Sequence, residues 1–337
     1  MSVHIIAEAG SNYNGSVELG TQLNAAAAAA RADSVKYQII YPEGLYLPGD
    51  YPYGHYDIRE VRRIRQRDVL SDAQWQALRD DALARGIAFS ASVFDAKGLE
   101  LLRRLAPPYV KTASCDLNNL PFLREVAASG LTMVVSTGMS TLGDIEKAVD
   151  ALRREGVHGE RLVLLHCVSA YPAPLRETNL AFIQTLRRAF GTAVGFSDHT
   201  LGREAACAAV ALGATWIEKH FTVDRGLEGL DHKHALEPAE LKDYVDAIRD
   251  TEASLSPRAQ KIGPAEAETR KRARRGIYAA RDLPEGHVLA AADLLVVRPE
   301  GPIPADEVDT LIGGRLRRAL AAHSAIPRGV VDPSEEP

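Results

Sequence analysis

The 337-residue sequence predicts an α/β protein, a (β/α)8 TIM barrel followed by a small second domain. Eight short apolar or β-branched runs recur between Ile5 and Ile217, and stretches with helical spacing of apolar residues separate them. Strands that alternate with helices form parallel βαβ units, and eight such units in about 250 residues have the size of a barrel. The pattern changes after Leu255, which indicates the second domain.

The eight predicted strands are residues 5–9, 34–39, 88–93, 109–112, 132–136, 162–167, 193–196 and 215–217. Helical patterns lie between them, for example over residues 72–78 and 141–154. Ser71 is the predicted N-cap of the first of these helices, and Gly86 and Gly156 are predicted helix stops. We expect the barrel over 1–255, a Pro- and Gly-containing linker over 256–269 and the second domain over 270–337.

The composition argues against several classes of function. The net charge of −5 provides no basic surface for nucleic acid. The alanine-rich run 24–32 is too short to span a bilayer, and the N-terminus lacks the basic and apolar segments of a signal peptide. Three cysteines without motif spacing suit free thiols in a reducing compartment. We therefore expect a cytoplasmic protein that binds neither membranes nor nucleic acid.

A barrel of this kind carries its reactive residues at the carboxyl ends of the strands. Every predicted strand is followed or ended by polar side chains. They are Glu8, Asn12, Asn14, Lys36, Gln38, Ser92, Lys111, Ser114, Asp116, Ser136, Thr137, His166, Ser169, Ser197, Asp198, His199, Glu218, Lys219 and His220. One such residue is often only a helix cap, but eight strand ends together predict an active site at this rim.

Two lysines at this rim indicate an anion site. Lys36 and Lys111 end strands two and four, and hydroxyl-bearing residues end the neighbouring strands. Ammonium groups among hydroxyl donors suit a phosphate or a carboxylate, and the turn at Gly138 leads into a helix whose N-terminus also favours an anion. A Schiff-base lysine is the alternative. We favour the anion site, although the sequence alone does not separate the two.

Two histidines at the ends of the last two strands indicate a metal site. His199 and His220 end neighbouring strands, so the two imidazoles can share one divalent ion. With oxygen donors nearby, Mg²⁺ or Mn²⁺ with several waters fits better than structural Zn²⁺. Asp231 and His232 follow in a glycine-containing loop and can complete this site. For either histidine alone, a hydrogen-bonded core imidazole is the simpler interpretation.

The segment after strand two leaves two interpretations open. The loop 41–56, rich in Tyr, Pro and Gly, suits either an acceptor-side lid or a plain surface insertion. Five arginines follow it at positions 59, 62, 63, 65 and 67. They could attract an anionic substrate, but a solvated helix face is the interpretation we favour.

The motifs around these residues resemble the sialic acid synthase family, in order along the chain. They are EAGSNYNG (8–15), VKYQ (35–38), KTAS (111–114), STGM (136–139), HCVSAYP (166–172), GFSDHT (195–200) and EKHFT (218–222). IYAARDL (277–283) and VRP (297–299) resemble that family's antifreeze-like (SAF) domain.

The resemblance implies a metal-dependent condensation of phosphoenolpyruvate with an aldehyde sugar, an N-acylhexosamine such as N-acetylmannosamine, to a nine-carbon 2-keto-3-deoxy acid. It implies that phosphoenolpyruvate contacts Lys36, Ser92, Lys111, Ser114, Ser136, Ser169, Tyr171 and Ser197. The catalytic residues it implies are Glu8, Asp116 and His220, and the Mn²⁺ or Mg²⁺ ligands are His199 and His220. The acceptor would contact Gln38, Tyr171, Asp231 and, across a domain-swapped homodimer, Arg298.

Several residues depart from the family pattern. They are Tyr13, Ser92-Val93, Cys115-Asp116, Leu230, Ala235 and Glu300-Gly301-Pro302. Because most of the implied phosphoenolpyruvate and metal positions are retained, we interpret the changes as marking an acceptor other than plain N-acetylmannosamine. A Schiff-base pyruvate aldolase and a non-catalytic phosphoenolpyruvate-binding homologue are the remaining alternatives.

Overall fold

The computed structural model describes residues 2–54, 56–257 and 259–333. The chain forms two compact units, which divide after Ser256. No helix in these described ranges is long and apolar enough to cross a membrane.

The first unit is a closed barrel of eight parallel strands in chain order. The strands are β1 His4–Gly10, β2 Ser34–Ile39, β3 Ala88–Val93, β4 Tyr109–Thr112, β5 Thr132–Ser136, β6 Leu162–Cys167, β7 Ala193–Asp198 and β8 Trp216–His220. The predicted fold class is therefore confirmed. The predicted ends of β7 and β8 were too early, because pairing continues through Ser197↔Glu218 and Asp198↔Lys219.

Ten helices accompany the strands within the described part of this unit. They are α1 Val17–Ala29, α2 Pro42–Leu45, α3 Ile58–Arg67, α4 Asp72–Ala84, α5 Ala96–Arg104, α6 Leu120–Ala128, α7 Leu142–Arg154, α8 Phe182–Phe190, α9 Glu204–Ala211 and α10 Pro238–Leu255. Ser71 caps α4 as predicted, since its hydroxyl accepts from the Gln74 amide. Thr141 caps α7 in the same way, so that helix begins one residue later than its pattern suggested. Gly86 and Gly156 follow their helices with φ of 76° each, a conformation that glycine adopts without strain.

Side-chain alternation along the strands separates two cores. Ile5, Ala7 and Val110 belong to the large apolar core that also takes in residues of the helices. A smaller cluster holds the alternate positions, among them Ile6 and Tyr109. Because successive strand residues face opposite sides, this smaller cluster fills the inside of the barrel. Two residues further along β1 and β4, the inward positions are the charged residues Glu8 and Lys111.

The second unit has its own apolar core and short antiparallel strands. Its elements are α11 Pro264–Ala273, β9 Gly276–Ala279, β10 Leu294–Val297, β11 Arg315–Leu316 and β12 Val331–Asp332. Strands β9 and β10 pair with each other, and β11 pairs with β12. Helix α11 begins at Pro264, a residue suited to the first helical turn, so part of the predicted linker is helical.

Candidate active site

Four charged side chains meet inside the barrel at the carboxyl ends of β1, β2, β4 and β8. Lys36 Nζ lies 2.6 Å from Glu8 Oε2 and 3.4 Å from Glu218 Oε2. The charge of Lys111 acts on Glu218 from β4. All four are at most 5% exposed. Buried charges persist when they compensate one another, so Glu8, Lys36, Lys111 and Glu218 form one electrostatic unit, which we call the charge tetrad.

The two carboxyl groups of the tetrad have pKa values that shift in opposite directions. Burial raises the pKa of Glu8 to about 7, and Glu218 adds to this effect while Lys36 opposes it. Burial would also raise the pKa of Glu218, but Lys111 and Lys36 outweigh burial and lower it to about 2. Two coupled carboxyl groups with separated pKa values can divide acid and base roles. Glu8 is therefore the member that can hold or release a proton near neutral pH.

Serine hydroxyls continue the polar layer around the tetrad. Ser92 Oγ accepts from Lys36 Nζ at 2.8 Å, and Ser197 Oγ donates to Glu218 Oε1 at 2.7 Å. Ser136 is buried at the end of β5, two residues beyond the inward Val134. The strand register therefore brings these three predicted serines to one level of the barrel.

A cradle of donors lies at the turn after β5. The Gly138 amide donates to Ser114 Oγ at 3.1 Å. A methyl group added at Gly138 would lie 2.8 Å from Ser114 Oγ and 2.4 Å from Ser169 Oγ, so only glycine allows this approach. Cys167 lies against both hydroxyls and within the field of Lys111. Hydroxyls, an amide turn and a buried ammonium are suitable partners for a phosphate group.

The two predicted metal-ligating imidazoles are neighbours, with ring centroids 5.6 Å apart. His199 Nδ1 lies 2.8 Å from the Val168 carbonyl, which fixes the tautomer that leaves Nε2 free to bind a metal. His220 Nδ1 is buried and has no hydrogen-bond partner among the described residues. Burial lowers the pKa of His220 to about 4, and the neutral imidazole that results is the metal-binding form.

The donor set at these imidazoles suits an open metal site. The Tyr171 ring lies 4.2 Å from the His199 ring, centroid to centroid. In the described ranges no group of three or more His, Cys, Asp and Glu residues could hold a metal ion. Two imidazoles that leave most positions to water and substrate fit Mn²⁺ or Mg²⁺ better than a closed Zn²⁺ site.

Two of the predicted acceptor-binding residues, Gln38 and Asp231, lie next to Gly10. Gln38 Nε2 donates to Glu8 Oε1 at 3.1 Å, and Ser11 Oγ donates to Asp231 Oδ2 at 3.1 Å. A methyl group at Gly10, whose φ is 57°, would lie 3.0 Å from Asp231 Oδ2. Glycine here thus allows the β1 and β8 loops to bring these polar groups together.

Asp116 is buried on the turn after β4. Burial raises the pKa of Asp116 to about 6. The hydrogen bond that the Cys115 thiol donates to its carboxylate and the charge of Lys111 both lower this pKa, but burial outweighs them. This carboxyl group can therefore also exchange a proton near neutral pH.

Arg298 lies exposed in the second unit, next to the cis peptide Arg298–Pro299, and its role in acceptor binding stays a prediction.

Some rim residues face away from the barrel interior. Lys219 pairs with Asp198 at 3.1 Å, and the Tyr244 hydroxyl of α10 donates to the same carboxylate. His166 Nε2 lies 2.7 Å from the Thr178 carbonyl. Strict alternation explains this correction, because neighbours of inward residues must point outward.

Tyr13 lies in the outer core beside Gln38, one of the predicted acceptor-binding residues. Its ring packs against Tyr37 and Trp75, its hydroxyl donates to the Gln38 carbonyl at 3.4 Å, and the residue is 3% exposed. The effect of the change at Tyr13 on the acceptor stays a prediction, and it would act through packing behind Gln38.

Sequence reasoning missed the roles of Glu218 and Cys167. Counting by two from the inward Trp216 identifies Glu218 as inward, so the signal was present in the sequence. The position of Cys167 against His199, at 3.8 Å from its Nδ1, depends on how β6 and β7 are placed and carries no such signal.

Comparisons with known proteins agree with this architecture. Residues 23–260 match the NeuB family and residues 274–328 match the SAF domain. An N,N'-diacetyllegionaminic acid synthase from Legionella pneumophila is 34% identical over 97% of this chain and 94% of its own length. An N-acetylneuraminate-9-phosphate synthase from Drosophila melanogaster is 33% identical over 94% and 92%, respectively. The structure of an N-acetylneuraminic acid synthetase from Leptospira borgpetersenii is 33% identical, with a TM-score of 0.71 over 80% of this chain and 90% of that chain.

Proposed function

Because this chain belongs to the NeuB family, we propose that it joins phosphoenolpyruvate to the open-chain aldehyde of an acceptor sugar in a metal-dependent reaction. C3 of phosphoenolpyruvate bonds to the aldehyde carbon, and the aldehyde oxygen takes a proton. Water adds to C2, and the bond from C2 to the phosphate oxygen breaks. The products are a 2-keto-3-deoxy sugar acid and phosphate. The family resemblance inferred from the motifs is confirmed.

The observation that carries the proposal is the pair of buried lysines at the strand ends, of which Lys111 acts on Cys167 in the donor cradle. When Glu8 is ionised, two ammonium groups balance two carboxylates, and when Glu8 binds a proton the tetrad has a net charge of +1, which favours an anionic substrate. The Gly138 amide with Ser114 and Ser169 would hold the phosphate. Ser92, Ser136 and Ser197 offer hydroxyls to the rest of phosphoenolpyruvate.

Glu8 is the proposed proton carrier. Its carboxyl group has a pKa raised to about 7 by burial, and it accepts a hydrogen bond from Gln38 on the acceptor side. It can thus give a proton to the developing hydroxyl and take one from the water that adds. Asp116, with its pKa raised to about 6 by burial, is the second carboxyl group available.

His199 and His220 are the proposed ligands of Mn²⁺ or Mg²⁺. When bound, such an ion polarises the aldehyde oxygen as a Lewis acid. The hydrogen bond from His199 Nδ1 to the Val168 carbonyl would keep the His199 imidazole oriented, and the Tyr171 ring would line the same site.

The acceptor is proposed to be an N-acylhexosamine such as N-acetylmannosamine, its 6-phosphate, or another aldehyde sugar. This range is supported by the relatives, whose names specify different products, one of them phosphorylated. Gln38 and Asp231 would contact the sugar. We also propose a cytoplasmic, domain-swapped homodimer in which Arg298 serves the acceptor site of the other subunit.

The test compares two reactions of the purified protein. With Mn²⁺ and phosphoenolpyruvate below its wild-type KM, phosphate release should require an acceptor sugar and should fall about 10- to 100-fold in Lys111→Met. Borohydride with pyruvate should leave the mass of the protein unchanged. A pyruvate adduct trapped by borohydride would replace the proposal with a Schiff-base aldolase. Tight phosphoenolpyruvate binding without phosphate release for any sugar would favour a non-catalytic homologue.

A further inference from the structure

Arg65 differs from the other arginines of α3. Arg59 pairs with Asp57, Arg63 with Glu60 and Arg67 with Asp68. The Nε and Nη1 atoms of Arg65 are buried and have no hydrogen-bond partner among the described residues. A buried donor without a partner is costly, and more so in a charged group. The solvated helix face predicted from the sequence therefore does not describe Arg65.

The surroundings of Arg65 place it beside the acceptor residues. Burial would raise the pKa of Asp231, but His220 and Arg65 outweigh burial and lower it. Geometry also brings the end of α3 to this loop: a methyl group at Gly15 would lie 2.8 Å from the Arg67 carbonyl, and the adjacent Asn14 donates to the Glu228 carbonyl at 2.9 Å, three residues before Asp231. Burial raises the pKa of Tyr53, and the charge of Arg65 opposes this.

Tyr53 belongs to the loop between β2 and α3, and Arg62 of α3 donates from Nη1 to the Gly49 carbonyl of this loop at 3.3 Å. The Tyr53 ring contacts those of Tyr46, Tyr51 and Tyr56. The tyrosine loop therefore contacts the helix that carries Arg65. This favours the acceptor-side interpretation of the loop over a plain surface insertion.

From this arrangement we infer that Arg65 determines acceptor specificity. Its guanidinium would receive an oxygen-bearing substituent, either an anionic group or an acyl carbonyl, at the end of the sugar remote from the aldehyde. A sugar with its aldehyde at the imidazole pair and its hydroxyls along Asp231 would reach Arg65 with its far end. The inference rests on the proposed function, since it assumes that a sugar occupies this side.

The test uses the full-length protein with Arg65→Met, Arg65→Lys and the control Arg63→Met on the same helix. N-acetylmannosamine and its 6-phosphate are the acceptors, with Mn²⁺ and saturating phosphoenolpyruvate. Arg65→Met should raise the acceptor KM about 10- to 100-fold, as expected for the loss of a hydrogen bond to a charged group. The KM for phosphoenolpyruvate and the Tm should stay close to those of the wild type. Arg63→Met should behave as the wild type.

The two acceptors separate the sources of the oxygen. If Arg65→Met raises the KM only for the 6-phosphate, and Arg65→Lys partly restores that KM, Arg65 binds an anionic group of the acceptor. If Arg65→Met raises the KM for both sugars, and Arg65→Lys does not restore it, Arg65 binds the acyl carbonyl. An acceptor KM within twofold of the wild type, or a fall in kcat and Tm alone, would overturn the inference.

Failure of the proposed function is distinguishable from failure of this inference. If the wild type releases no phosphate with either sugar, the proposed function fails for them. Calorimetric titration of the same sugars into the phosphoenolpyruvate complex then decides the role of Arg65. Binding by the wild type that weakens at least tenfold in Arg65→Met supports it, and no binding by the wild type overturns it.

Discussion

Replacing Lys36 with methionine removes the cation that holds two buried carboxylates together. At an effective dielectric constant of about 20, unit charges at the 2.6 Å and 3.4 Å separations of Lys36 from Glu8 and Glu218 attract by about 6 and about 5 kcal/mol. The desolvation of three charges offsets most of this attraction. In other proteins, removing one partner of a buried ion pair costs about 3–5 kcal/mol. We expect a loss of unfolding free energy of this size for Lys36→Met.

This loss should grow with pH. Burial has already raised the pKa of Glu8 from 4.5 to about 7, and without Lys36 it rises further. A group whose pKa is raised by folding stabilises the native state at low pH and loses that contribution as pH rises through the native pKa. The variant should therefore lose up to about 1.4 kcal/mol more for each pH unit above 7, until its own Glu8 pKa is reached.

Urea unfolding followed by tryptophan fluorescence measures this loss. Both tryptophans, Trp75 and Trp216, lie in the first unit, so the signal reports the barrel. Lys97→Met is the matched control, because Lys97 forms an exposed 3.7 Å pair with Glu43 and should lose less than about 1 kcal/mol. Adding Glu8→Gln to Lys36→Met should recover about 2 kcal/mol at pH 8. A loss below about 1 kcal/mol in Lys36→Met, or no recovery in the double variant, would refute the tetrad as the basis of this stability.

Three further predictions concern the proposed reaction. Lys111→Met should raise the KM for phosphoenolpyruvate about 10- to 100-fold in a phosphate-release assay with little change in the acceptor KM, and an equal rise in both would count against a phosphate-side role. A chelator should abolish phosphate release and Mn²⁺ should restore it, whereas His220→Ala should bind Mn²⁺ at least tenfold more weakly by calorimetric titration. Full activity after exhaustive chelation would contradict the metal site. Since burial raises the pKa of Asp116 to about 6, kcat/KM should fall as pH drops through 6 if its carboxylate form is required. Asp116→Asn should lower the rate and remove that limb, and an unchanged pH profile would exclude Asp116 from proton transfer.

The sequence predicts the barrel well because each strand is a local signal. A short β-branched run bounded by turn residues is recognisable without knowledge of its neighbours, and all eight occur in the structure. The ends of β7 and β8 were missed because polar residues inside a barrel resemble loop residues. Ser197 and Glu218 are strand residues because they pair with each other across β7 and β8, and the Ser197 hydroxyl donates to the Glu218 carboxylate.

The sequence predicts which residues form the site better than it predicts which of them contact one another. That Lys36 and Lys111 lie inside the barrel follows from strand ends and alternation. That Lys36 contacts both Glu8 and Glu218 depends on closure of the barrel between β1 and β8, which brings together residues far apart in sequence. That Nε and Nη1 of Arg65 lack a hydrogen-bond partner within residues 2–54, 56–257 and 259–333 has no local signal either, because the neighbouring arginines are the same residue type and differ only in their partners.

The most direct test of the central claim is mass spectrometry of the reaction mixture. The protein is incubated with phosphoenolpyruvate, Mn²⁺ and a panel of aldehyde sugars that includes N-acetylmannosamine and its 6-phosphate, and phosphate is measured in parallel. We predict a sugar acid three carbons longer than one of the acceptors, formed in equal amount with phosphate and reduced about 10- to 100-fold in Lys111→Met when phosphoenolpyruvate is below its wild-type KM. Efficient use of unmodified N-acetylmannosamine would retain the chemistry and refute the inference of a different acceptor. Absence of both phosphate and the extended acid with every sugar, despite phosphoenolpyruvate binding, would contradict the account.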